Sequence, residues 1–260
     1  MTATPPPRPY ALVRRPAASL ADGIVTFIER QPLDVELADR QWHSYVDALE
    51  RNGYATVEVP PDDRLPDSVF IEDPVVVFGD LAVVTNPRQP TRNPETVAAE
   101  DTVRGLGFEV AYITSPATLD GGDVLKVGAT VYVGISGTTN AEGVAQLRAL
   151  LEPRGYRVVG VPLTKALHLK SAVTALPDGT VVGYAPVVDD PTVFEAFLAV
   201  PEEPGAHVVV LDESTVLMSS AAPQSAALFR DRGLRVETVD ISEYEKLEGC
   251  VTCLSVRVRA

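Results

Sequence analysis

The sequence predicts an α/β fold built from repeated helix–strand modules set around an axis. Three observations carry this reading. A helical segment, a glycine and an apolar strand follow one another five times, at Gly53, Gly107, Gly155, Gly205 and Gly233. The first four glycines are 54, 48 and 50 residues apart and the last gap is 28, the kind of period expected when each module stacks on its neighbours. Between modules lie pairs of short apolar strands that turn at Gly79-Asp80, at Gly128 and at Pro177-Asp178-Gly179. These are hairpins rather than the single strands of a dinucleotide-binding fold, and no Gly-x-Gly-x-x-Gly follows a first strand.

Residues 1–8 are proline-rich with little to bury and are expected to form a disordered tail, leaving residues 9–260 as one domain without an internal linker. Tyr10–Arg14 reads as a first strand, followed by a loop of small residues and an apolar patch at Ile24–Phe27 that fits either a lid or half-buried loop packing. Over Asp34–Asn52 the positions Val35, Leu37, Trp42, Tyr45, Val46 and Leu49 recur at helical spacing, and a strand follows over Tyr54–Val59. The same reading gives helices over 96–106, 141–151, 192–200 and 224–232, followed by strands over 107–113, 155–161, 205–211 and 233–239. Each glycine suits the residue just past a helix, where a left-handed backbone strains any other side chain. The hairpins pair Val69–Ile71 and Pro74–Phe78 with Leu81–Val84, 124–126 with 130–134, and 171–176 with 181–184. The chain ends in a strand-like run, Cys250–Ala260, with a thiol at its mouth.

The 260 residues carry a net charge of −14, with 22 Lys and Arg against 36 Asp and Glu. That balance argues against nucleic acid or an anionic membrane surface as partner and suits a cationic ligand. No apolar run approaches the roughly 18 residues of a membrane span, and the proline-rich start lacks the apolar core of a signal peptide. Two cysteines make no disulfide framework. A cytoplasmic protein with reduced thiols is expected.

Few residues are candidates for chemistry. Cys250-x-x-Cys253 is compatible with a redox pair or half a zinc site, but there is no second cysteine pair and His43, His168 and His207 are scattered at no metal spacing, so no metal is expected. A buried, inert cysteine is the plainer reading. His168 lies between two leucines, and Asp120 and Asp123 bracket a Gly-Gly turn whose geometry alone would account for them. The carboxylates Asp67, Glu72 and Asp73 are different, because Glu72-Asp73 interrupts an apolar run from Val69 to Phe78. Carboxylates are costly to bury without a partner, and inward-facing ones ask for a cation.

Four segments together resemble those of the dimethylargininases: Asp67-Ser-Val-Phe-Ile-Glu-Asp73, Leu119-Asp-Gly-Gly-Asp-Val-Leu125, Leu167-His-Leu-Lys-Ser171 and Leu247-Glu-Gly-Cys-Val-Thr-Cys-Leu-Ser-Val256. That family of dimethylarginine dimethylaminohydrolases belongs to the guanidine-modifying (pentein) superfamily, with arginine deiminases and amidinotransferases. The order and spacing agree from about Tyr10 to the C-terminus. The resemblance implies a five-bladed, pseudo-fivefold α/β propeller and a hydrolase of guanidino C–N bonds that needs no cofactor. It implies Cys253 as nucleophile, His168 as general acid and base, and Asp120 as the partner that orients the imidazole. Asp67, Glu72 and Asp73 would hold the guanidinium, Arg92 the substrate carboxylate, and Leu247 would offer a backbone carbonyl. Val25 falls near the family's lid-loop contact, and Cys250 is left as a redox partner for Cys253.

Chemistry agrees with these roles. A guanidinium carbon is a poor electrophile, so the cation must be held between carboxylates with a thiolate presented to its face. One departure bears on the substrate. Where the family places a second arginine in a Gly-x-Ser-x-Arg-Thr-Asn stretch, this chain reads Gly134-Ile-Ser-Gly-Thr138-Thr-Asn140, and Arg88 is the residue placed to compensate. Methylated arginine giving citrulline and an amine is the expected reaction, with arginine or a guanidine lacking the α-carboxylate as the alternative. A guanidinium-binding protein without catalysis and a thiol redox protein are the readings from other classes. An exposed blade edge would support a homodimer.

Overall fold

The first module shows how local sequence sets the pattern. In the computed structural model, which describes residues 9–259, strand β1 (Tyr10–Val13) leads through a loop to helix α1 (Val35–Arg51) and then to β2 (Ala55–Glu58). The expected N-terminal tail, residues 1–8, lies outside the described residues. Asp34 caps α1 by accepting the Leu37 N–H at 2.9 Å. Ala38, Gln41, Trp42, Tyr45, Ala48 and Leu49 form its buried stripe. Past its end Gly53 has a φ of 87°, and Gly107, Gly155 and Gly233 repeat the device at 87°, 85° and 88°.

The second module is β3 (Val75–Phe78), β4 (Leu81–Val84), α2 (Glu95–Gly105) and β5 (Glu109–Tyr112); the third is β6 (Val124–Val127), β7 (Thr130–Ile135), α3 (Ala141–Leu151) and β8 (Arg157–Pro162). A one-turn helix α4 (Leu169–Ala172) opens the fourth, β9 (Val173–Ala175), β10 (Val181–Gly183) and β11 (Phe197–Ala199). The fifth is β12 (Val208–Val210), β13 (Thr215–Ser219), α5 (Pro223–Asp231) and β14 (Arg235–Val239); α6 (Ser242–Glu245) and β15 (Val256–Val258) end the chain. The strands form five three-stranded sheets. In each, an inner strand runs antiparallel to the middle strand, and the middle strand runs parallel to the outer one. This is the α/β propeller that the sequence predicts.

The inner strand of the first blade is β15, paired with β1 so that Tyr10 faces Val258. The two ends of the chain therefore close the ring within one blade. Neighbouring blades share buried clusters: Val76, Phe78 and Val83 of the second pack with Val131, Val133 and Leu147 of the third. Full burial of a side chain such as Leu147 stabilises the fold by about 1.5–3 kcal/mol.

Three local expectations are corrected. Residues 192–200 are not a helix: a 3-10 turn over Pro191–Val193 leads into β11, which pairs in parallel with β10. Phe194, Phe197 and Leu198 fit a helical face on paper, but Phe194 instead packs edge-on to Tyr132 at 5.0 Å and stacks on Phe197 at 6.2 Å. Short apolar runs are decided by such tertiary pairing. The strand expected over 205–211 becomes the inner strand of the next blade, with Gly205 inside a 3-10 turn rather than past a helix. Val69–Ile71 and Cys250–Leu254 are turns and irregular chain rather than strands, and both bury their side chains.

Candidate active site

Four of the five inner strands are entered through segments that carry a polar side chain onto one cavity of about 240 Å³. Asp73 precedes β3, Asp120 precedes β6, His168 precedes α4 and β9, and Cys253 precedes β15. Loops that leave the middle strands supply the mouth, with Ile24, Thr26 and Phe27 after β1, Arg88 after β4, and Thr138 after β7. Pseudo-fivefold symmetry thus converts residues far apart in sequence into neighbours around an axis.

The segments are irregular because they approach one another closely. Asp120 accepts the Gly122 N–H at 3.5 Å, which begins a 3-10 turn. A Cβ on Gly122 would lie 2.4 Å from His168 Nδ1 and 3.0 Å from Asp73 Oδ1, so only glycine admits the imidazole here. Asp123 accepts the Leu169 N–H at 2.9 Å and so anchors the turn that follows His168. The other Asp123 oxygen accepts the hydroxyls of Ser136 and Thr138 at 2.7 and 2.8 Å.

The electrostatics are those of an acidic pocket around one imidazole. Asp67, Asp73, Asp120 and Glu248 line it against Arg88, Arg92 and His168. His168 Nε2 is 3.5 Å from Asp120 Oδ2, an ion-pair contact rather than a hydrogen bond. Burial alone would lower the imidazole pKa, but the Asp120 and Asp73 carboxylates outweigh it and push it to about 10. Asp120 responds in the opposite sense, held below the usual carboxylate range by His168 and Arg92 in spite of burial. Asp73 is pushed well up by burial and by Asp120. Its Oδ2 accepts from Arg92 at 2.8 Å, while Oδ1 is buried with no hydrogen-bond partner. An unsatisfied buried carboxylate oxygen is a costly feature that an entering N–H donor would relieve.

Cys253 Sγ lies 3.4 Å from Cys250 Sγ, and Cys250 does not line the cavity. The thiol of Cys253 is pushed up by its hydrogen bond to Cys250, by burial and by the carboxylates of Glu72 and Asp73. A cation arriving in the pocket opposes that last effect and favours the thiolate.

Comparison with known proteins gives a consistent picture. No protein-family model matches the chain. It is 57% identical over 253 residues to the N(G),N(G)-dimethylarginine dimethylaminohydrolase of Streptomyces coelicolor, covering 97% of this chain and 98% of that protein. The chain belongs to the dimethylarginine dimethylaminohydrolase family. The Pseudomonas aeruginosa member is 36% identical over 253 residues, 95% of this chain and 98% of that one. A cysteine variant of the Pseudomonas enzyme complexed with citrulline superposes with a TM-score of 0.89 at 35% identity, covering 96% of this chain and 98% of that one. The N-terminal domain of ArgZ, a cyanobacterial arginine dihydrolase, shares the fold with a TM-score of 0.87 at 19% identity over 96% of this chain and 98% of that one.

Against the expectations for a family member, the structure places Cys253, His168, Asp120, Asp67, Asp73, Arg92 and Leu247 on the cavity. Two residues stand elsewhere. Glu72 is turned to the far side of the axis, where it receives Lys170 at 2.5 Å, Arg257 at 3.3 Å and the Thr252 hydroxyl at 2.8 Å. The charge that the sequence assigned to substrate is taken up by protein cations. Val25 packs on the core around Trp42 and Tyr45, while its neighbours Ile24, Thr26 and Phe27 face the cavity, a shift of one residue along the loop.

Arg92, on the cavity lining, is also engaged by the protein's own carboxylates. It donates to both Glu95 oxygens at 3.0 and 2.8 Å as well as to Asp73. Arg88 donates to the Gly137 carbonyl at 2.9 Å beside Thr138, on the lining of the same cavity. Sequence reasoning also passed over Glu248, which has a φ of 61°. Its carboxylate accepts the N–H groups of Thr26 at 3.0 Å, of Ile28 at 2.9 Å and of Phe27, fixing the loop over the cavity. Its only sequence signal is adjacency to Leu247. Among the described residues, Asp73, Asp120 and His168 alone gather ligand atoms tightly enough for a metal ion, within 4.8 Å of one another. The raised pKa of His168, about 10, favours an imidazolium, which has no ring lone pair to offer a metal ion.

Proposed function

We propose that this chain hydrolyses Nω-methylated arginine to citrulline and an amine through a covalent intermediate on Cys253. The observation that carries the reading is the convergence of Cys253, His168 and Asp120 on one cavity that Asp67 and Asp73 make acidic. The guanidinium supplies the N–H donors that Asp73 Oδ1 lacks, and its charge favours the Cys253 thiolate. The thiolate attacks the guanidinium carbon and forms an S–C bond. His168, an imidazolium at neutral pH, donates its proton to the departing dimethylamine as the C–N bond breaks, leaving a thiouronium. The imidazole, now neutral, takes a proton from water as that water attacks the same carbon. Collapse of this second adduct breaks the S–C bond, returns the thiolate and releases citrulline, the hydroxyl proton of the adduct passing to solvent. One residue switches from acid to base between the halves, and Asp120 keeps its ring oriented.

The substrate α-carboxylate is met by Arg88, with Arg92 serving chiefly to balance Asp73 and Glu95. The free thiols of Cys250 and Cys253 support a reducing, cytoplasmic setting, and no helix among the described residues is long and apolar enough to cross a membrane. A common axis for all five blades supports reading residues 9–260 as one domain. The outer strands, which pair on one edge only, support a homodimer. Citrulline release from asymmetric dimethylarginine, monomethylarginine and arginine, measured beside Cys253→Ser, tests the reaction. Turnover of the methylated substrates that the substitution abolishes is expected. Silence on all three would move the substrate to a guanidine without the α-carboxylate, and a guanidine bound but uncleaved would leave a binding protein.

A further inference from the structure

A second cavity, of about 320 Å³, lies on the far side of Glu72 and is lined by residues of all five inner strands. The chemistry above does not use it, and its charge is opposite to that of the catalytic cavity. Lys126, Lys170, Arg257 and Arg259 line it against one carboxylate side chain, Glu72, in a chain whose net charge is −14. At the floor Glu72 takes both Lys170 and Arg257, at 2.5 and 3.3 Å, so one positive charge there is in surplus.

The mouth is less balanced still. Arg259 donates to two uncharged oxygens, Tyr54 Oη at 3.1 Å and the Val210 carbonyl. Lys126 Nζ stands 5.8 Å from the ring centre of Phe78 and 5.9 Å from that of Tyr156, and has no hydrogen bond or ion pair among the described residues. Burial and the neighbouring charge of Arg259 both lower the Lys126 pKa. Two like charges held beside a low-dielectric wall repel, and an anion between them reverses the sign of that interaction. Below them Val75, Val77, Val208, Val210, Val256 and Val258 make an apolar collar between mouth and floor. The volume is at the lower end of the ~300–1,000 Å³ typical of small-molecule sites.

We propose that this cavity is a binding site for a small organic phosphate, its phosphate between Lys126 and Arg259 and its apolar body against the valine collar. The valines select against inorganic phosphate, which would leave them wet. The mouth cations select against a neutral ligand. The site lies at the opposite end of the axis from Cys253, so its occupant is distinct from the substrate.

Phenyl phosphate titrated calorimetrically into the full chain at constant ionic strength tests the assignment. Saturable one-to-one binding is expected, weakened at least tenfold in Lys126→Gln/Arg259→Gln, unchanged in Arg88→Gln, and weaker for inorganic phosphate. Neither Lys126 nor Arg259 pairs with a carboxylate among the described residues, so the fold should survive their replacement; if thermal melting shows otherwise, Lys126→Gln alone carries the comparison. The absence of saturable heat, equal affinity in the mouth variant, or loss of binding in Arg88→Gln would each overturn the site. Equal affinity for inorganic phosphate would overturn the organic ligand.

Discussion

Replacing Arg88 by alanine tests the least obvious part of the proposed substrate contact. Thr138 stands where the family resemblance leads one to expect a second arginine, and its hydroxyl is already bound to Asp123 at 2.8 Å and Ser136 at 2.9 Å. Arg92 has its Nε, Nη1 and Nη2 groups on Glu95 and Asp73. Among the described residues Arg88 is hydrogen-bonded only to the Gly137 carbonyl and is exposed at the mouth, which makes it the proposed contact for the α-carboxylate. A hydrogen bond to a charged group is worth about 1.5–3 kcal/mol. Solvent competes at an exposed site, so the lower end applies, and about 1.5 kcal/mol corresponds to a roughly tenfold rise in KM. The contact is far from the reacting carbon and equally strong in ground and transition states, so kcat should not change. Initial rates of citrulline formation from asymmetric dimethylarginine would show this, with the decarboxylated analogue as control. Equal losses on both compounds, or an unchanged KM for dimethylarginine, would refute the assignment. Thr138→Arg should lower KM for the amino acid alone.

Three further perturbations follow from the same geometry. Glu248→Ala removes the acceptor for the Thr26, Phe27 and Ile28 amides, so their hydrogen exchange should quicken and KM should rise about three- to tenfold; exchange at the wild-type rate would sink the latch. Diamide should couple Cys250 to Cys253, whose sulfurs must close from 3.4 Å to about 2.05 Å. Citrulline release should then fall and return with dithiothreitol, and an equal loss in Cys250→Ser would argue against that disulfide. His168 has a folded pKa of about 10 against a reference of 6.5. Its ionic contribution to stability is therefore complete below pH 6.5 and disappears as pH rises through about 10. The melting temperature of the wild type relative to His168→Asn should accordingly drop between pH 6.5 and 10; a constant offset would contradict the ion pairing.

Much of the fold was legible because its signals are local. The cap at Asp34, the stripe along α1 and the glycines past four helices act within a few residues of themselves. Residues 192–200 failed because an apolar run of that length fits either a helix or a strand, and pairing with β10 decided it. Cys253, His168 and Asp120 were found by the order of four short segments. Arg88 was marked only as a compensating residue for Thr138, and Glu248 only by its adjacency to Leu247, because nothing else beside them in sequence shows that they line a cavity.

By itself the sequence determined the five-module α/β plan, the thiol–imidazole–carboxylate set and an acidic environment for a cation. Tertiary structure alone decided which way each charge faces. Adjacent residues can point to opposite ends of an axis, so Asp73 meets the catalytic cavity while Glu72 is consumed by Lys170 and Arg257 on the other side. It also gathered Lys126, Lys170, Arg257 and Arg259 into one cationic pocket that a net charge of −14 conceals. Composition sums charge over the whole surface, whereas a ligand responds to the few groups that the closed ring brings within reach.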